Sequence, residues 1–175
     1  MNTIQCKNIN LRPARVEDSE FILGLRLRKH KTQYKISQVE NDLVKQQAWL
    51  ENYQQKKQKN LEYYFVIEKK RHENLGLVRV HDLQPNSFCW GSWLMEDNVP
   101  KTTAIESTLL LYEFGFGKLN YKQSHFDVSK GNDRVISFHQ RFGAKITHED
   151  ELNYYFNYQL EDYLQIKQKY QRYLN

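Results

Sequence analysis

Phe88-Cys89-Trp90-Gly91-Ser92-Trp93-Leu94-Met95, followed by Glu96-Asp97-Asn98-Val99-Pro100-Lys101 and then Thr102-Thr103-Ala104-Ile105-Glu106, is the stretch on which the fold turns. The first run is rich in β-formers and reads as a strand. Gly91 inside it suggests a close backbone approach or a bulge nearby. The middle run is a loop holding Pro100, and Thr102-Thr103 opens a helix. Ile105, Leu109, Leu110, Tyr112, Phe114 and Phe116 make that helix apolar over about four turns. A strand, a loop and a helix start together make an anion site, because the unpaired N–H groups of the first turn point at a phosphate. An ordinary capped helix remains the alternative for this string.

Working outward, Ile9-Asn10-Leu11-Arg12-Pro13-Ala14 reads as a first strand, and Glu17-Asp18-Ser19-Glu20 opens a helix to about Arg28. Asn41 or Asp42 can cap a second helix, 43–58. Tyr63-Tyr64-Phe65-Val66-Ile67 and Gly76-Leu77-Val78-Arg79-Val80-His81 read as a hairpin that leads into the central stretch. Beyond the central helix come a strand at His125-Phe126-Asp127-Val128 and a short helix from Asn132, ended by Gly143. Strands at Lys145-Ile146-Thr147 and Tyr154-Tyr155-Phe156-Asn157-Tyr158 follow, then a terminal helix over about 161–173. The order is βααβββαβαββ plus a tail helix. One domain over 1–175, with its core at about 9–160, is the expectation.

The 175 residues carry 26 Lys and Arg against 21 Asp and Glu. The net charge of +5 favours an anionic partner. The basic residues are dispersed, however, and no basic-aromatic RNA motif appears, so nucleic acid is not the expected partner. Mean hydropathy is −0.83, and no apolar run approaches the ~20 residues of a membrane span. Met1-Asn2-Thr3-Ile4-Gln5 lacks the layout of a signal peptide. Cys6 and Cys89 stand far apart, without metal-ligand spacing. A reduced cytoplasmic protein with no bound metal is expected.

Several strings, in this order, resemble the GCN5-related N-acetyltransferase (GNAT) family. Leu11-Arg12-Pro13-Ala14 with Glu17-Asp18 is similar to the family's opening strand and helix. Asn132-Asp133-Arg134-Val135-Ile136-Ser137-Phe138-His139-Gln140-Arg141-Phe142-Gly143-Ala144 is similar to its late helix. The resemblance implies an α/β (α+β) fold: a mixed, mostly antiparallel sheet of about seven strands, flanked by helices, with the C-terminal helix added. It also implies transfer of an acetyl group from acetyl-CoA to an amine.

The resemblance further implies roles for particular residues. The family's phosphate loop carries Arg/Gln-x-x-Gly-x-Gly/Ala, matched here by Lys101, Thr102, Thr103, Ala104, Ile105 and Glu106; Glu106 is a departure that adds a negative charge. A bulged strand supplies a backbone N–H to polarise the thioester carbonyl, matched by Leu94 or Met95. The leaving thiolate takes a proton from a residue seven after the Asn, which is His139 here; imidazole or imidazolium can serve. A packing role is the other reading of His139. Asn132 can both cap the helix and bind the pantetheine arm, beside Phe138.

Arg28, His30 and Tyr34 follow the first helix, which in the resembled fold lines the acceptor cleft. With Gln46-x-x-Trp49 and Trp90-Gly-Ser-Trp93, the pattern resembles acetyltransferases of nucleotide-linked amino sugars in surface-polysaccharide or flagellin pathways. Residues on one face of a strand alternate, so Trp90 and Trp93 share a face only if a bulge separates them. A bulge is expected near Leu94, which puts Trp93 in the acceptor cleft and Trp90 in the core. His81, Asp82, Glu96 and His125 lie near strand ends as possible bases or substrate contacts. A protein N-terminus or a small amine is an alternative acceptor, a non-catalytic CoA-binding module is an alternative function, and a monomer or homodimer is expected.

Overall fold

The computed structural model describes residues 3–30, 39–70 and 73–174. Tyr34 lies outside them. The chain begins with β1 (Ile4–Gln5) and β2 (Ile9–Pro13), a 3-10 turn at Val16–Asp18, α1 (Ser19–His30) and α2 (Leu43–Gln58). The meander β3 (Tyr63–Lys69), β4 (Asn74–His81) and β5 (Ser87–Met95) follows, then α3 (Thr102–Tyr112), which relaxes into a π-turn at Glu113–Lys118. The chain closes with β6 (Gln123–Ser129), α4 (Asp133–Arg141), β7 (Lys145–Glu149), β8 (Asn153–Gln159) and α5 (Leu160–Tyr170). Asp42 caps α2 by accepting from the Lys45 amide at 3.0 Å.

The strands form one sheet in the order β1-β2-β3-β4-β5-β6-β8-β7. Among the described residues it has eight strands rather than about seven, because Ile4–Gln5, a two-residue strand too short to show a period, pairs back on β2. All neighbours are antiparallel except β5 and β6. Helices cover both faces. On one, α1 and α2 pack Ile22, Leu25, Leu50 and Tyr53 against Tyr64, Val66, Leu77 and Leu94. On the other, Leu109 to Tyr112 of α3, Ile136 of α4 and Tyr163 of α5 pack against Phe65, Val78, Val80, Phe88 and Trp90. Arg12 joins Asp18 at 2.8 Å and Glu68 at 3.0 Å, locking the entry of α1 to β2 and β3.

Two irregularities in β5 shape the centre of the sheet. The parallel ladder to β6 holds only three pairs, Ser87–Gln123 to Cys89–His125. Beyond them β6 stays paired with β8 along its length and β5 stays with β4, so the two strands part into a wedge. The second irregularity is a bulge: Leu77 pairs with Leu94, but Arg79 pairs with Gly91. Ser92 adopts φ +48° there, a left-handed conformation that costs an ordinary residue roughly 1–2 kcal/mol.

Candidate active site at the β5–β6 wedge

The bulge lies between the two tryptophans, not after them, and this overturns the expected split. Trp90 and Trp93 share the α3/α4 face, edge to face with ring centroids 5.6 Å apart. Trp93 donates its indole N–H to Ser107 of α3 at 3.2 Å and packs on Phe138 at 5.2 Å. It therefore stands on the opposite face of the sheet from α1, which carries Arg28 and His30. The structure does not bring Trp93 together with those two residues.

At the mouth of the wedge stands the N-terminus of α3. No acidic residue occupies its first turn, which suits an anion. The Thr103 amide reaches the Pro100 carbonyl at 2.9 Å, and Glu106 lies in the second turn, where the Thr102 carbonyl takes its amide. Thr103 and Glu106 are thus not free donors as expected; Thr102 and Ala104, beside Lys101, are the first-turn amides left to an anion. The charge of Glu106 is not in the loop. Its side chain is fully buried and accepts from the Asn8 amide group at 2.5 Å, on the inner side of the helix. Burial pushes that carboxyl upward. Replacing Ala104 by Pro should remove one donor and weaken acetyl-CoA binding about 10- to 100-fold, the worth of one charge-assisted hydrogen bond. Calorimetric titration checks it.

The same backbone logic separates Leu94 from Met95. Glu96 donates its amide to Leu75 at 2.8 Å. Amides alternate between the two edges of a strand, so the Leu94 N–H also faces β4 while the Met95 N–H faces the wedge. Of the two, Met95 is the donor a ligand can reach. Their side chains pack on opposite faces of the sheet, with Leu94 among the α1/α2 residues.

At the apex of the wedge His139, from α4, lies against Phe126 at 4.4 Å and Trp90 at 5.3 Å. These are the first residues of β6 and β5 past the last parallel pair, so the ring spans the point where the strands part. It is 4% exposed, and its Nδ1 has no partner among the described residues. Burial lowers its pKa to about 3, so the ring is neutral at pH 7. Of the two forms that could serve, the neutral imidazole is the one this site holds, because an apolar aromatic box does not solvate a charge. Asn132 stands at the N-cap of α4 but makes no side-chain cap bond, which leaves its amide group for another partner. Phe138 packs with Trp93 beside it.

On the other face, Arg28 pairs with Glu96 and Lys29 with Asp97, both at 2.5 Å. The end of α1 is thereby clasped to the loop between β5 and α3, and its cations meet carboxylates instead of standing as an open cluster. His30 is exposed. Arg79, Leu77 and His81 alternate onto this face; Arg79 bonds buried Glu62 at 2.5 Å and lies over Trp49 at 5.7 Å. Past them His125 accepts or donates between Ser87 at 2.6 Å and Asp82 at 2.9 Å. The period-two pattern of 77, 79 and 81 was the signal for this polar shelf, which sequence reading left unassembled. Among the described residues no helix is long and apolar enough to cross a membrane.

The chain matches the acetyltransferase (GNAT) domain family over residues 8–145. Among solved structures it is similar to apo FdhC, a nucleotide-linked sugar GNAT, with 39% identity, a TM-score of 0.91, and coverage of 99% of this chain and 98% of that one. It also resembles the ribosomal-protein-S5-alanine acetyltransferase from Vibrio fischeri (14% identity, TM-score 0.79, coverage 92% and 98%). The spermidine/spermine N-acetyltransferase SpeG from Vibrio cholerae is similar at 16% identity and a TM-score of 0.72, covering 90% and 96%. At those identities the likeness is one of fold. Nothing among the curated proteins matches. With the wedge, the bulge and the helix start in place, the family match over most of its length makes this chain a member of the GNAT family, an acyltransferase whose kind uses acetyl-CoA.

Proposed function

We propose that the protein transfers acetyl from acetyl-CoA to the amino group of a nucleotide-linked sugar. The observation that carries the acceptor class is the 39% identity to a nucleotide-linked sugar GNAT along almost the whole of both chains. The donor fits the residues present. Thr102, Ala104 and Lys101 hold its pyrophosphate, and the arm lies along the unpaired edge of β5, where the Met95 N–H and Asn132 meet it beside Phe138. Acetyl-CoA supplies the thioester. From the mouth of the wedge to its apex, the arm brings that group toward His139, whose neutral ring offers an N–H to the leaving sulfur. Glu106 turned inward removes the charge conflict that would favour a non-catalytic module.

The acceptor binds on the α1/α2 face, near Arg28 and His30. For a diphosphate to be held there, Arg28 must exchange Glu96 for the ligand, so acceptor affinity should fall as salt rises. The test is acetylation of UDP- and dTDP-linked amino sugars against amino-terminal peptides and polyamines, with Arg28→Ala and His30→Ala alongside. Sugar nucleotides should be the better substrates, and both variants should raise acceptor KM. Preference for peptides, or two variants with unchanged KM, would overturn the sugar reading.

A further inference from the structure

We propose that His81 takes the proton that the acceptor's ammonium group must lose before attack, an inference that rests on the acetyl transfer to an amine read above. The ladder fixes where its ring stands. His81 pairs with Cys89, the last β5 residue still bound to β6, and so sits level with the apex of the wedge. It alternates with Leu77 and Arg79 onto the α1/α2 face, whereas His139 covers the apex from the α3/α4 face. The ring leans along the sheet toward the bulge: a Cβ built on Gly91 would stand 3.5 Å from His81 Nε2. The glycine thus leaves open the space between that nitrogen and the parting strands. An arm entering past α3 and Met95 brings its acyl end to this level. An amine arriving over the α1/α2 face meets the acyl carbon from the side on which His81 stands.

The surroundings suit a base. Arg79 from β4, Glu62 from the turn before β3, Asp82 next in the chain, His125 from β6 and Cys89 from β5 are the titratable and charged groups facing it. Burial first, and Arg79 second, hold the imidazole below its ordinary value. The ring is therefore neutral at pH 7 and free to accept. Nε2 takes one proton from the ammonium group. The nitrogen lone pair so released forms the C–N bond at the acyl carbon, and the C–S bond breaks with its electron pair on sulfur. The second proton shed by that nitrogen ends on sulfur, giving amide and thiol, and the His81 imidazolium returns its proton to water.

The test compares wild type with His81→Gln on the best acceptor of the panel, across pH 6–10. At pH 7 the variant should lose about 10²–10³-fold in kcat/KM, within the usual range for a general base. The deficit should shrink as pH approaches the pKa of the amine, where acceptor arrives already deprotonated. Acetyl-CoA affinity by calorimetry should not change. Independently of turnover, the His81 ring should titrate below pH 6.5 by NMR in the protein alone. Wild-type kcat/KM in His81→Gln at pH 7, or a ring titrating above pH 7.5, overturns the assignment. If peptides or polyamines prove the better acceptors, the sugar reading falls and the same comparison on that acceptor still judges His81. A wild type that acetylates no amine overturns both.

Discussion

Replacing His139 by Phe should slow acetyl transfer by about 10²–10⁴-fold and at the same time make the protein more resistant to acid. The two effects share one cause. Phe fills the aromatic box of Trp90, Trp93, Phe126, Phe138 and Phe156 but has no N–H for the leaving sulfur. In the wild type the folded ring has a pKa of about 3 against an ordinary 6.5, so the unfolded chain binds a proton that the folded chain refuses. Stability is full above pH 6.5 and is lost as pH falls from there toward 3. A shift of that size removes about 2 kcal/mol between pH 8 and pH 5. His139→Phe should not show this loss, and denaturant melts of both proteins at the two pH values measure it. His139→Tyr restores a donor and should keep appreciable activity. A Phe variant with wild-type turnover over pH 6–9 would leave His139 a packing residue only.

The second large effect is expected at Gly76. A Cβ there would come within 2.2 Å of the Leu94 carbonyl oxygen and 3.1 Å of the Met95 Cα. Both are backbone atoms, so no side chain can turn aside. Gly76→Ala must push β4 away from β5 beside the bulge, at a cost of about 3 kcal/mol, the upper end for overpacking. It should lower Tm and, because Met95 shifts with its strand, weaken acetyl-CoA binding as well. Gly91→Ala makes the useful contrast, since its Cβ meets only the end of His81 at ordinary contact distance. Thermal melts of the two variants separate a backbone clash from a mere loss of glycine.

Much of the layout was legible because it rests on local periods. The 43–58 helix, the β3–β5 meander and the start of α3 at Thr102 all announce themselves through spacing and turn residues. What stayed hidden depends on a neighbour distant in sequence. The bulge at Ser92 is set by pairing with β4, and Gly91 hinted at it without saying on which side of Trp93 it falls. That one residue decides whether the two tryptophans share a face. Glu106 looked like a charge in the phosphate loop because its partner, Asn8, lies 98 residues away in the chain. Arg28 was offered to the acceptor cleft without its ion-pair partner because Glu96 lies 68 residues away, in the loop between β5 and α3. The apparent α-helix through Phe116 ends at Tyr112; in the π-turn that follows, Gly115 lies so close to Phe88 that a Cβ would stand 2.1 Å from its ring.

The central claim is that the donor lies in the wedge between β5 and β6, with its pyrophosphate on α3. Following backbone amide resonances while acetyl-CoA is titrated in tests it most directly. The account predicts saturable shifts concentrated at Met95, Thr102 and Ala104, accompanied by the His139 ring, and little change at the β7 edge. No shifts at millimolar acetyl-CoA, or saturable shifts confined to residues away from β5, α3 and α4, would contradict it.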